Sequence, residues 1–159
     1  MAVFYSFHYG RDAWRVQQIL NIGALDSQTI LNAQEWESVK RKGDAAIKQW
    51  IADQMAYKQA VVVLVGLETS TRPWVVYEIQ KAWQDKRPLV GIRIHGLQNS
   101  AKAVDTPGPN PFSLIKLDTG GTMGDYVPVH APSGSTSGDV YASIKANLTT
   151  WVAGAYKRS

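Results

Sequence analysis

Trp74 and Glu78 stand four positions apart behind Ser70-Thr71-Arg72-Pro73, so a helix that begins near Pro73 puts the indole and the carboxylate on one face. A carboxylate held there accepts hydrogen bonds from ribose hydroxyls, and its charge steadies a developing oxocarbenium ion. The indole beside it offers a flat face on which a nicotinamide or adenine ring stacks. A second polar and aromatic segment, Ser6-Phe7-His8-Tyr9-Gly10-Arg11-Asp12, brings a guanidinium, Arg11, suited to a pyrophosphate near a helix N-terminus. Each of these residues also has a plainer reading. An isolated carboxylate such as Glu78 is usually a solvated helix residue, and an aromatic such as Trp74 more often packs than binds. Arg11 is equally suited to a surface ion pair with Asp12 or Glu78, and a lone histidine such as His8 is more often structural than a general base.

The elements that must carry these residues follow from hydrophobic periodicity. Val3 to Phe7 is β-branched and aromatic and predicts a first strand, after which Ala13, Val16, Ile19 and Leu20 recur at helical spacing. Thr29-Ile30-Leu31 predicts a short second strand, and Asn32 to Gly43 a polar loop. Asp44 is placed to cap a helix whose Ile47, Trp50, Ile51 and Met55 share one face. Ala60 to Val65 is apolar at every position, the pattern of a central parallel strand covered on both faces. Ser70 or Thr71 then supplies a cap, and Pro73 a first-turn residue, for a helix turning Val75, Val76, Ile79, Ala82 and Trp83 inward. Leu89 to Ile94 is a fourth strand. Gln98 to Gly138 reads as long surface loops around an edge strand at Tyr126 to His130, where Pro128 removes a donor. Tyr141, Ile144, Leu148, Trp151 and Val152 form the last amphipathic helix, and Trp50, Trp83 and Trp151 read as core.

Strands alternating with helices imply an α/β fold with a doubly wound, mostly parallel five-stranded sheet, and 159 residues suffice for one domain over the whole chain. In the order 2-1-3-4-5 the strand direction of travel reverses between strands one and three, and ligands bind beyond the carboxyl ends there. Both polar segments lie at that point.

Composition narrows the function classes. The chain is 45% hydrophobic and 19% charged, and its longest apolar run, Ala60 to Leu67, is too short to span a bilayer. It has no cysteine, which excludes disulfides and thiol chemistry, and its first residues lack a signal-peptide pattern; a cytoplasmic location is expected. The net charge of +4 is spread among acids apart from Lys40-Arg41-Lys42, so nucleic acid is not an expected partner. His8, His95 and His130 have no ligand spacing, and no metal site is expected. A receiver domain needs an aspartate where this chain has Val65-Gly66-Leu67. A flavodoxin needs a small polar loop where it has Phe7, His8 and Tyr9, and neither GxxxxGK[ST] nor GxGxxG occurs.

A Ser-Phe-x-x-x-x-Asp segment after strand one and a Trp-x-x-x-Glu pair opening the helix after strand three resemble the TIR domain. FYSFHYGRDAWRVQQI at 4–19, STRPWVVYEIQKAW at 70–83, PLVGIRIHGLQN at 88–99, NPF at 110–112 and NLTTWV at 147–152 are similar to the TIR-like proteins of the Thoeris antiphage systems. The resemblance implies a flavodoxin-like TIR fold and cleavage of the nicotinamide–ribose bond of NAD+, with Glu78 as the catalytic residue. It implies that Phe7, His8, Arg11, Ser70 and Trp74 line the substrate site, with a looser match at Asn32 and Trp36 in the loop after strand two. NAD+ is then a substrate, with no separate cofactor, and the product is a cyclic ADP-ribose-type signal that activates an effector. Self-assembly is also expected of the family, and the competing reading is a non-catalytic TIR-type interaction module.

Overall fold

The computed structural model describes residues 1–159. Five strands form one parallel sheet in the order β2-β1-β3-β4-β5, with β1 at Ala2–Ser6, β2 at Asp26–Ser27, β3 at Ala60–Val65, β4 at Leu89–Arg93 and β5 at Val129–His130. The helices are α1 (Tyr9–Leu20), α2 (Ala33–Arg41), α3 (Asp44–Met55), α4 (Pro73–Gln84) and α5 (Ser137–Ala153). This is the doubly wound arrangement expected from the sequence.

β3 explains the two layers. Ala60, Val62 and Leu64 point into a core shared with Val16 and Ile19 of α1 and Ile144 and Leu148 of α5. The alternate residues Val61, Val63 and Val65 pack with Ile47 and Ile51 of α3 and Val75 and Ile79 of α4. Side chains on a strand alternate between faces, so a run with no polar position needs a helical layer on each. No helix is long and apolar enough to cross a membrane.

Several boundaries differ from the sequence reading, each for a local reason. The second strand is Asp26–Ser27 rather than Thr29 to Leu31, because the Gln28 side chain replaces the backbone in the ladder. Its Nε2 donates to the Tyr5 carbonyl at 2.8 Å and its Oε1 accepts from the Tyr5 amide at 3.0 Å. The segment read as a polar loop from Asn32 to Gly43 contains α2, opened by a reciprocal capping box. Asn32 accepts from the Glu35 amide at 2.8 Å and Glu35 accepts from the Asn32 amide at 3.0 Å. Helix α3 starts from Gly43, at φ 95°, with Asp44 already inside its first turn. Ser70 and Thr71 do not cap α4: residues Thr69–Thr71 form a 3-10 turn and Arg72 takes the cap position without a side-chain bond. The last strand is cut to Val129–His130, since Pro128 supplies only its carbonyl, which accepts from Gly91 at 2.9 Å. Trp50, Trp83 and Trp151 are half-buried at the edges of the two cores, where Trp151 stacks on His130 at 4.9 Å.

The long loop after β4 is tied to α1 by charge. Arg15 is fully buried; its guanidinium donates to the carbonyls of Leu97 (2.7 Å) and Ala103 (3.1 Å) and pairs with Asp12 at 2.9 Å and Asp105 at 3.1 Å. Farther along, the loop passes so close to the end of β3 that a Cβ on Gly108 would meet the carbonyls of Gly66 and Leu67. Asp12 is also fully buried, and burial raises its carboxyl above the usual range against the opposing pull of Arg15. Arg15→Met therefore leaves an unpaired carboxylate inside the protein. Urea unfolding should show a loss on the order of 3–5 kcal/mol, with part of it recovered in Arg15→Met/Asp12→Asn. A loss within experimental error would mean that the pair does not hold the loop.

Candidate active site

The carboxyl ends of β1 and β3 open into a cleft of about 360 Å³ between the β1–α1 turn, the start of α2 and the start of α4. It lies where the strand order reverses. β1 contributes Ser6 at its last position and Phe7 just beyond it. The apolar pattern of the strand carries into Phe7, which is 3% exposed and fixes the turn against the core.

One wall is a stack of aromatic rings. Phe7 and Tyr9 lie with centroids 4.5 Å apart, and Tyr9 and Trp36 follow at 5.1 Å, nearly parallel. Trp36 is set by α2 and backed by Trp50 at 5.8 Å, with the Lys40 ammonium 5.9 Å from its ring. On the opposite side Pro73 starts α4, and Trp74 and Glu78 follow on one helical face, both lining the cleft. Trp74 and Tyr77 pack edge to face with ring centroids 5.5 Å apart. Helix α4 thus fixes both residues through the packing of Val75, Ile79 and Ala82 on its buried side.

Glu78 is 7% exposed, which sets aside its reading as a solvated helix residue. Its Oε1 accepts from the Ser6 hydroxyl at 2.6 Å, and it makes no ion pair. Its Oε2 has no protein partner and is not sealed from the cleft. Burial pushes the carboxyl up to about 8, against the smaller opposing effect of the Ser6 bond. The Tyr9 phenol is also raised, by burial first and by the Glu78 charge second. His8 caps α1 by accepting from the Gly10 amide at 3.2 Å through Nδ1, which requires the neutral ring. Burial, then the Arg72 charge, lowers its pKa and keeps it neutral.

Of the residues singled out from sequence, Phe7, His8, Asn32, Trp36, Trp74 and Glu78 line the cleft, while Arg11 and Ser70 do not. Arg11 is bound elsewhere: its Nε and Nη2 grip both oxygens of Asp105 at 2.8 and 2.9 Å, and Nη1 donates to Glu68 at 3.1 Å. The surface partners suggested for it, Asp12 and Glu78, are not the ones it uses. Ser70 is turned away by the 3-10 turn ahead of α4. The cleft's cations are Lys40, paired with Glu37 at 2.7 Å, and Arg72, which pairs with no carboxylate. Sequence reading passed over both, together with Ser6 as a partner of Glu78. The Asn32–Glu35 capping box was the signal that would have revealed α2 and hence the placement of Trp36 and Lys40.

Residues 4–99 match the family described as Thoeris protein ThsB, TIR-like domain. Over 119 residues the chain is 32% identical to ThsB1 of Bacillus cereus (strain MSX-D12), named as a proposed cyclic ADP-D-ribose synthase; the match covers 71% of this chain. It spans 62% of the length of that relative.

The raised Glu78 pKa carries a cost in stability with a definite sign. A carboxyl that holds its proton more tightly when folded favours folding below its unfolded pKa of about 4.5, and that contribution is lost as the pH rises through about 8. Glu78→Gln keeps an acceptor for Ser6 and removes the charge. Thermal and urea unfolding should find the two proteins alike near pH 4.5. The variant should become more stable by on the order of a few kcal/mol once the pH exceeds 8. Equal stability at every pH would show that Glu78 ionises as freely as a surface carboxylate.

Proposed function

The chain belongs to the TIR-like family of the Thoeris protein ThsB, and we propose that it cleaves the nicotinamide–ribose bond of NAD+ and closes the remaining ADP-ribose into a ring. The observation that carries this reading is the buried Glu78 carboxyl beside Trp74, with one oxygen held by Ser6 and the other directed to the cleft. A nicotinamide ring between the Phe7–Tyr9 stack and Trp74 brings the ribose C1′ toward Glu78. As the glycosidic bond breaks, its electron pair goes to the ring nitrogen and the ring leaves neutral. The positive charge then resides on C1′ and the ribose oxygen, where the Glu78 carboxylate stabilises it. A hydroxyl or base nitrogen of the same molecule captures the cation and gives a cyclic product, whereas water gives linear ADP-ribose, and in each case the proton of the nucleophile is released to solvent.

Ring closure requires a folded substrate and a cleft poor in water, and the aromatic wall supports it. The name of the Bacillus cereus relative supports a cyclic product as well. A diffusible product of this kind acts on a separate nucleotide-sensing effector. The buried position of Glu78 counts against a purely non-catalytic interaction module, which has no use for an unpaired carboxyl in a pocket. Arg72, the cation of the cleft without a carboxylate partner, is suited to the diphosphate in the place first assigned to Arg11.

Purified protein incubated with NAD+ should release nicotinamide together with a product one water lighter than ADP-ribose by mass spectrometry. Glu78→Gln should lower the rate by roughly a hundredfold or more. Parental turnover in that variant would remove Glu78 from the chemistry, and linear ADP-ribose alone would remove the cyclisation step.

The two arginines separate by ligand. Arg72→Ala should weaken NAD+ more than nicotinamide riboside, which lacks the diphosphate, while Arg11→Ala should affect both ligands equally. The reverse pattern in binding titrations would restore Arg11 as the diphosphate contact.

A further inference from the structure

Glu78 is a buried acid without a countercharge. No ion pair of the protein involves it, and its one hydrogen bond is to a neutral hydroxyl, Ser6. The charged and titratable groups around the cleft come from each element that borders it. His8 and Tyr9 stand in the β1–α1 turn, Glu37 and Lys40 on α2, and Arg72 at the start of α4. His8 is neutral while it caps α1, Lys40 is paired with Glu37, and Arg72 lies beyond 4 Å of the Glu78 carboxylate. The rings of Phe7, Tyr9, Trp36 and Trp74 present π surfaces in the same space, a surrounding that favours a flat cation.

The geometry points to a cation site whose missing partner is the ligand itself: the countercharge of Glu78 is the permanently cationic pyridinium ring of the oxidised dinucleotide. This rests on the proposed reaction and adds to it how the site selects its substrate. A carboxyl in such a place stays protonated in the empty cleft, as its rise to about 8 indicates. When a pyridinium cation enters, the acid ionises: Glu78–COOH and the cation give Glu78–COO⁻ paired with the cation, and one proton goes to solvent. NAD+ then charges its own catalytic carboxylate as it binds. The reduced dinucleotide, whose ring is neutral, leaves the acid protonated. The Ser6 hydroxyl, donating to Oε1, favours the ionised form and leaves Oε2 as the oxygen that meets the cation.

The probe that separates this from catalysis is 1-methylnicotinamide, a cation with no glycosidic bond to break, compared with neutral nicotinamide. Calorimetric titrations of the intact chain near pH 7, in two buffers of different ionisation heat, should show most of one proton released per bound cation. Its affinity should rise by up to about tenfold per pH unit below pH 8 and level off above. Nicotinamide should bind without proton release or pH dependence. Glu78→Gln should keep nicotinamide binding and lose the pH dependence of the cation. Ser6→Ala should move the midpoint to higher pH. No binding of the cation, pH-independent binding, or proton release that persists in Glu78→Gln would each overturn the assignment. Nicotinamide release from NAD+ is scored separately. Cleavage without proton-coupled cation binding would overturn only this inference, and coupled binding without cleavage would overturn only the proposed reaction.

Discussion

Ala60 to Val65 contains no position that tolerates water, and every one of its residues is buried. A strand with two apolar faces must be covered twice, by α1 and α5 on one side and α3 and α4 on the other. Parallel neighbours on both sides require crossover helices, and those crossovers leave β1 and β3 with their helices on opposite faces. The cleft is the gap that this reversal leaves open. Its location is thus a consequence of packing the central strand, while its chemistry comes from the side chains that happen to stand at the strand ends.

The distribution of charge around that gap is as consequential as the gap. Arg11 and Arg15 lie on α1, and Asp12, Glu68 and Asp105 take up both. The network fastens the loop after β4 to α1, and neither of its cations pairs with Glu78. What remains near the carboxyl is one neutral hydroxyl and a set of aromatic rings. A buried acid with so little compensation weakens the fold, and the same lack of compensation makes it responsive to a cationic ligand. Under the proposed reaction, stability and function pull in opposite directions at this residue.

Helix α2 shows how a short polar element completes such a site. Its only buried residue is Trp36, and the capping box at Asn32 and Glu35 fixes where it starts. The tryptophan continues the ring stack begun by Phe7 and Tyr9, so the wall of the cleft is assembled from two segments far apart in the chain.

The sequence alone was sufficient for the fold class and for placing Trp74 and Glu78 on one helical face, because period-two and period-3.6 patterns report which residues face a core and which share a helical face. The two loops fell at the reversal point once the strand order usual for such a doubly wound sheet was adopted, the order that the structure has. The sequence was insufficient wherever one side chain decides between partners. Gln28 imitates a strand by bonding to Tyr5, and nothing in Thr29-Ile30-Leu31 reveals that the ladder has already ended. Arg11 looks like a cleft cation until the loop after β4 folds back and places Asp105 against it, ninety-four residues away in sequence. The burial of Glu78 and its bond to Ser6, seventy-two residues apart, arise only when β1 and α4 are brought together. Hydrophobic periodicity is a local property of the chain, but the ionisation of a carboxyl depends on everything that surrounds it in space, and only the tertiary structure assembles those surroundings.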